Sequence, residues 1–308
     1  IPDWNGKPYH SLDYELKQMF KEKVYKIALN GGMTCPNRDG HVGTGGCIFC
    51  SSQGSGDFAG SARLSIAEQI KQGKADISSK RPVHSYIAYF QAFTNTYAPV
   101  ETLRALYMEA IADPEVKILS IATRPDCLGA DVLALLDEIN HIKPVWVELG
   151  LQTIHPETSA YIRRGYELSV FEQAVKELRA IGITVIVHTI LYLPGETKDD
   201  MLDTIHYLNH MDIQGIKLQL LHVLTHTDLA ADYEKHPFYI PDMQDYIQFL
   251  GTCIAQLNPE IVIHRLTGDG PKDLLIAPLW TSNKRTVLNQ LHSHLKEQDI
   301  WQGKEYYV

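Results

Sequence analysis

Six short apolar runs recur along the chain, at 24–29, 85–90, 118–122, 145–149, 184–191 and 216–221. Each is near-continuous in apolar residues rather than alternating, the pattern of strands buried on both faces of a parallel sheet. Amphipathic stretches with helix-start signals separate them. Ser65 with Glu68, Ser169 with Glu172 and Thr197 with Asp200 each have the spacing of a capping box. Gly182 stands where a helix running from Val170 should stop. Six β-then-α units in series predict an α/β domain with a parallel sheet and right-handed crossovers. Periodicity leaves the strand order open, so a doubly wound sheet and a partial barrel both satisfy it. Either architecture places its chemistry at the C-terminal ends of the strands. The organisation expected is a catalytic domain over 24–270, an extension over 1–23, and a helical extension over 271–308 that is clearest at 284–298.

With 44% hydrophobic and 21% charged residues, the 308-residue chain has the make-up of a globular protein with a sizeable core. No apolar run approaches the roughly 18–20 residues of a membrane span, and the start lacks the basic-then-apolar layout of a secretory signal. No membrane partner and a cytoplasmic location are therefore expected. The 28 basic and 37 acidic residues give a formal charge of −9, opposite in sign to a protein that wraps nucleic acid non-specifically. Phosphate contacts would have to come from a local patch. The basic pairs Lys71/Lys74, Lys80/Arg81, Arg163/Arg164 and Lys284/Arg285 are the candidates, with Tyr86, Tyr89, Phe93 and Tyr97 as stacking or core aromatics.

Five cysteines do not form an even secreted framework. Cys35, Cys47 and Cys50 crowd together, with eleven residues between the first two and two between the last two. Their Gly-rich segment directly follows the first strand. A Cys-x-x-Cys turn can bring two thiolates to one metal centre, and the glycines let a third fold back. Structural zinc normally closes with four ligands, and a simple ferredoxin cluster also takes four cysteines. Three thiolates leave a position for an exogenous ligand. A Cys3His zinc site completed by His41 or another histidine is the alternative. Cys127 and Cys253 read as buried free thiols.

These cysteines, with Phe49 just before the last, are joined by further motifs. They include Val24-Tyr25-Lys26-Ile27, Cys35-Pro36-Asn37-Arg38-Asp39-Gly40, the segments 50–60 and 89–97, and Glu148-Leu149-Gly150-Leu151-Gln152-Thr153. Others are Arg164-Gly165-Tyr166, Leu193-Pro194-Gly195-Glu196-Thr197, and the segments 217–222 and 265–270. Together they resemble the radical S-adenosylmethionine (SAM) superfamily. Most of that superfamily spaces its first two cysteines more closely. The longer loop is similar to the branch that includes the Elongator catalytic subunit, and closer still is the bacterial YhcC/YtqA-like family.

The resemblance implies a partial (βα)6 barrel, a [4Fe–4S] cluster on Cys35, Cys47 and Cys50, and SAM on the open iron. It implies reductive cleavage to a 5′-deoxyadenosyl radical, with an electron donor such as flavodoxin or ferredoxin. It also implies action on tRNA, converting wobble 5-carboxymethylaminomethyluridine to 5-aminomethyluridine. Without an acetyltransferase half, acetyl transfer is not expected. A small-molecule or protein substrate is the competing enzyme reading; a structural-zinc or tRNA-binding module is the reading outside enzymes. Among the cofactor residues, Gln91, Thr94 and Asn95 occupy the place of the superfamily's Gly-Gly-Glu grip on the SAM amino group. Glu148, with Gln152 after it, is assigned to the ribose or to Arg163/Arg164, because a buried strand-end acid needs a partner. Arg164 is assigned to the SAM carboxylate. Leu193 and Gly195 are expected to shape the adenine pocket, with Phe49 beside the cluster. Lys217 and Gln219 share a strand face by period two and are the catalytic candidates, since a buried lysine in an apolar strand marks a site. His222 reads equally as a ligand or a core histidine.

Overall fold

A computed structural model describes residues 2–53, 59–91, 93–268 and 270–307. Residues 54–58, Ala92 and Asp269, within the motifs at 50–60, 89–97 and 265–270, lie outside the described residues. Helix α1 (Leu12–Phe20) precedes β1 (Tyr25–Leu29), α2 (Ile66–Ser78), β2 (Tyr86–Phe90), α3 (Val100–Ile111), β3 (Val116–Thr123) and α4 (Ala130–Asn140). Next come β4 (Val145–Gln152), α5 (Pro156–Tyr161), α6 (Leu168–Ala180), β5 (Thr184–Leu191), α7 (Lys198–Asn209) and β6 (Gly215–Leu220). The remainder adds β7 (Val223–Leu224), α8 (Asp228–Lys235), α9 (Met243–Gln256), β8 (Val262–Arg265), β9 (Leu275–Ala277) and α10 (Lys284–Glu297).

Seven strands pair in parallel in the order β1-β2-β3-β4-β5-β6-β8. A doubly wound sheet reverses its order at a switch point; this one follows the chain throughout and curls into a half-barrel. The partial barrel is the architecture formed, with β8 as a seventh strand beyond the six read from the sequence. Val262–Arg265 is four residues long and half polar, too short to announce itself. Residues at i, i+2 share a sheet face, and the face turned inward divides into two layers. Ile87, Ile118, Trp146 and Ile186 form an apolar floor that Leu12, Leu16 and Phe20 of α1 cover from below. Above the floor, Tyr89, Ser120, Glu148, His188 and Lys217 make a polar layer. The outer sheet face packs on the helices through the main core, with Leu103, Leu136, Phe171 and Leu178 fully buried.

The capping boxes at Ser65/Glu68 and Thr197/Asp200 form as expected. The one at Ser169/Glu172 does not: α6 begins at Leu168 behind Glu167, with no side-chain cap. Its other end is as expected. Gly182 has φ +75°, its N–H bonds the Arg179 carbonyl, and Ile183 N–H bonds Leu178 O at 3.0 Å, a Schellman closure.

Candidate active site

The cysteine loop leaves β1 and is pinned from several sides. The Cys35 carbonyl accepts from the N–H groups of Arg38 and Asp39, and Cys50 N–H bonds Cys47 O at 3.1 Å. Between the last two cysteines, Ile48 donates to Ile162 O and accepts from Leu229 N–H, which ties the turn to α5 and α8. Buried Asn37 sends its amide to Arg163 O at 2.7 Å and to Cys47 Sγ at 3.6 Å. Cys47 and Cys50 share a hydrogen bond. That bond, helped by the Arg38 charge, pulls the Cys50 thiol down to about 7 against burial, and the same contact raises Cys47.

A tetrahedral zinc ion, with Zn–S near 2.3 Å, needs ligand atoms within about 4 Å of one another. The three thiols and His41 are not gathered even to 4.8 Å; His41 lies against the Tyr97 ring instead. Among the described residues, His155, Asp200 and Asp203 are gathered that closely, and His155 Nε2 already bonds Asp200 O at 2.8 Å. The donor set at the cysteine loop is thus three thiols, with His41 turned to the Tyr97 ring. That fits a multinuclear cluster with a coordination position left over.

Cys50 and Phe49 open onto an inner cavity of about 150 Å³ that Gln91, Lys217, Gln219 and His222 also line. Five residues expected at the site from strands β2 and β6 and their loops, or from the cysteine turn, are therefore brought together around Cys50. The rest take other places. Leu193 is buried in a cluster with Ile48 and Ile162, against which Phe49 packs. Gly195 adopts φ +87° in a turn closed by Glu196 N–H to Leu193 O. Thr94 N–H holds Thr34 O, linking the β2 loop to the cysteine loop, while Asn95 Nδ2 bonds Ala122 O at 2.9 Å. The carboxamide oxygens of Asn95 and Gln152 are buried without a hydrogen-bond partner. Gln152 sits at a register shift closing β4, at φ +67°.

Two assignments change. Arg164 spends its guanidinium on the carbonyls of Leu151, Thr153 and Tyr166 at 2.7–3.1 Å and is buried, so it clamps backbone instead of facing a ligand carboxylate. Glu148 is held by lysine and histidine in place of the arginines. Its carboxylate lies 2.6 Å from Lys217 Nζ, 2.6 Å from His188 Nε2 and 3.8 Å from Lys26 Nζ, and accepts from Ser120 and Tyr89. Cys253 is buried as expected, whereas Cys127 is only half-buried.

This layer sets one carboxylate against several cations. Burial pushes Glu148 up, but Lys217, Lys26 and the His188 hydrogen bond hold it well below the usual carboxylate range. Burial, with Lys26 and Arg265 nearby, pushes the Lys217 ammonium down to about 7 despite Glu148. An amine that changes charge near neutrality therefore forms part of the cavity wall, with Tyr89 Oη at 3.3 Å.

A radical SAM superfamily model matches residues 37–208, more than half of the chain, and a radical SAM C-terminal domain model matches 213–297. The chain belongs to the radical SAM superfamily. The superfamily's [4Fe–4S] cluster and SAM are accordingly its cofactors. It is similar to YtqA of Bacillus subtilis (strain 168), 45% identical over 298 residues, which cover 97% of this chain and 92% of that protein. YhcC of Escherichia coli (strain K12) is 36% identical over 287 residues, covering 93% and 92%. The structure of Methanocaldococcus infernus Elp3, lacking its N-terminal residues 1–46, aligns with TM-score 0.71 at 13% identity. It covers 91% of this chain, which spans 64% of that one, and the likeness is one of fold. No helix among the described residues is long and apolar enough to cross a membrane.

Proposed function

We propose that this radical SAM enzyme modifies the wobble uridine of tRNA, converting a 5-carboxymethylaminomethyl side chain to 5-aminomethyl. The observation that carries the reading is the depth of the site. The cavity at Cys50 is small and adjoins, across shared walls at Tyr89, Gln91, His222 and Arg265, an outer cavity of about 990 Å³. A substrate must present its reacting carbon on a slender stalk, as a side chain on a base turned out of its strand does. The tRNA substrate itself is what the resemblance to the YhcC/YtqA-like family implies.

In this reading Cys35, Cys47 and Cys50 hold the cluster, and Asn37 donates to one of its ligands. When bound, the cluster and SAM supply a 5′-deoxyadenosyl radical that takes hydrogen from substrate, given an electron from a donor of the flavodoxin or ferredoxin kind. Phe49 and Leu193 provide the apolar wall beside the cluster; Gln91 and Gln219 offer amide donors and acceptors in the cavity. The α-carbon of the glycine-derived side chain is flanked by nitrogen and carboxylate, so hydrogen loss there leaves a stabilised radical. Loss of one further electron to the oxidised form of the same electron carrier turns it into an imine, which water hydrolyses across the C–N bond to the 5-aminomethyl base and glyoxylate. Lys217, poised near neutrality, holds or releases the proton that the departing amine needs.

The test is nucleoside mass spectrometry of tRNA from a deletion strain of an organism encoding the protein. Accumulated carboxymethylaminomethyl nucleoside, with loss of its downstream products, is expected. An unchanged profile overturns the tRNA assignment.

A further inference from the structure

The outer cavity gathers basic residues in a chain that is acidic as a whole. Among the described residues lining it are Lys26 on β1, Arg265 at the end of β8, Lys272, and Lys284 with Arg285 on α10, and none is acidic. Five cations from four parts of the chain face one space in a protein whose formal charge is −9. Two of them run against local preference. Lys284 and Arg285 occupy the first turn of α10, which has no acidic residue and whose N-cap, Asn283, also lines the cavity. Cations at a helix N-terminus oppose its dipole, and a helix N-terminus flanked by cations is suited to an anion. The charges grade inward: Lys272, Lys284 and Arg285 stand around the outer cavity, while Arg265 also borders the cavity at Cys50.

We propose that this outer cavity is a phosphate-binding vestibule that takes the backbone of a single-stranded RNA segment, Lys272, Lys284 and Arg285 meeting the phosphates. The inference rests on the tRNA reading above and adds to it the part of the chain that holds the strand. Phosphate contacts position the strand without reading its sequence, so affinity does not depend on the wobble modification. A small phosphorylated ligand is the other source of the same chemistry.

The experiment uses the full chain and a fluorescent, unmodified anticodon stem–loop RNA, with binding measured by anisotropy from low to moderate salt. The probe for the alternative is inorganic phosphate at constant ionic strength. The triple variant Lys272→Gln, Lys284→Gln, Arg285→Gln should bind at least about tenfold more weakly, its log K against log salt slope being shallower by about 2, since each lost single-strand phosphate contact removes about 0.7. A control with the same charge change on another face, Lys71→Gln, Lys80→Gln, Arg81→Gln, should keep the wild-type slope. Equal slopes for the vestibule variant and wild type, with circular dichroism unchanged, overturn the proposal. So does equal weakening in both triples, which would make the effect one of net charge. Displacement of RNA by millimolar phosphate at constant ionic strength overturns the RNA assignment in favour of a small ligand. The two readings fail separately: intact vestibule behaviour with an unchanged nucleoside profile removes only the wobble substrate, and a changed profile with an unaltered slope removes only the vestibule.

Discussion

Glu148 is the residue on which the polar layer depends, because it alone in that layer is negative against Lys217, Lys26 and His188. Removing one partner of a buried ion pair leaves an uncompensated charge, at a cost of about 3–5 kcal/mol. Glu148→Ala should lose about that much in urea unfolding. Lys217→Met should lose clearly less, since Glu148 keeps His188, Ser120 and Tyr89. A larger loss for the lysine variant would refute this account. The same layer sets the acid sensitivity. Burial, then the Lys217 charge, pushes His188 down to about 4, whereas an unfolded histidine titrates near 6.5. Between those values the unfolded chain binds more protons, so stability falls as pH drops from 6.5 to 4. Glu148 adds to the loss at lower pH, as its carboxylate is protonated through its depressed value. Urea unfolding at pH 7, 6 and 5 should show the decline, and His188→Gln should flatten it. At the cysteine loop, hydrogen bonds to cluster sulfurs raise reduction potential. Asn37→Ala should therefore make the reconstituted cluster harder to reduce in an anaerobic redox titration. Each of Glu148 and Lys217 was legible as a buried charge needing a partner. That they partner each other was not, because they stand two strands apart and register is absent from a single sequence. Arg164 was misplaced for the opposite reason: backbone carbonyls leave no trace in side-chain pattern.

At the scale of elements, local signals were trustworthy where two of them coincided. Ser65 and Thr197 each accept from the N3 N–H while the N3 acid returns the bond, and Ala at either should cost about 1 kcal/mol. Ser169→Ala should change stability by less than about 0.5 kcal/mol, because its helix starts upstream of it. Parallel urea titrations of the three variants decide the matter; a large effect at Ser169 would mean that α6 is capped differently. The six short apolar strands were legible since burial on both faces writes itself as composition, β1 being buried only at Ile27 and Leu29. β8 was not, since its pairing with β6 owes more to the sheet edge than to its own four residues. The order of the strands came from neither signal. Only the closure of each crossover onto its immediate predecessor distinguishes a barrel from a doubly wound sheet.

The whole molecule is closed from below by its two ends acting together. Gln302, fully buried, donates to the carbonyls of Asn258 and Ile261 and accepts from His10 N–H at 2.7–2.8 Å. His10 O in turn accepts from Ile263 N–H, beside the Ser11–Ile263 bridge where the chain turns into α1. One side chain near the C-terminus thus fixes the segment that places α1 under the barrel floor, next to the last strand. Gln302→Leu keeps the volume roughly but takes the partner from the Ile261 carbonyl and the His10 N–H, at about 1–3 kcal/mol each, while the Asn258 carbonyl keeps the Ile261 N–H. A loss of about 3–5 kcal/mol is expected in urea unfolding. The consequence should reach the site. Ile87 and Tyr89 share one face of β2, the first in the floor above α1 and the second against Lys217 and Glu148, so loosening α1 admits water below the polar layer. Because burial is the main cause of the low Lys217 pKa, that hydration should move it upward from about 7. Nuclear magnetic resonance titration of ¹⁵N-lysine-labelled protein, wild type against Gln302→Leu, reads the shift directly. Loss of stability with the Lys217 titration unmoved would show that the floor seals independently of the latch.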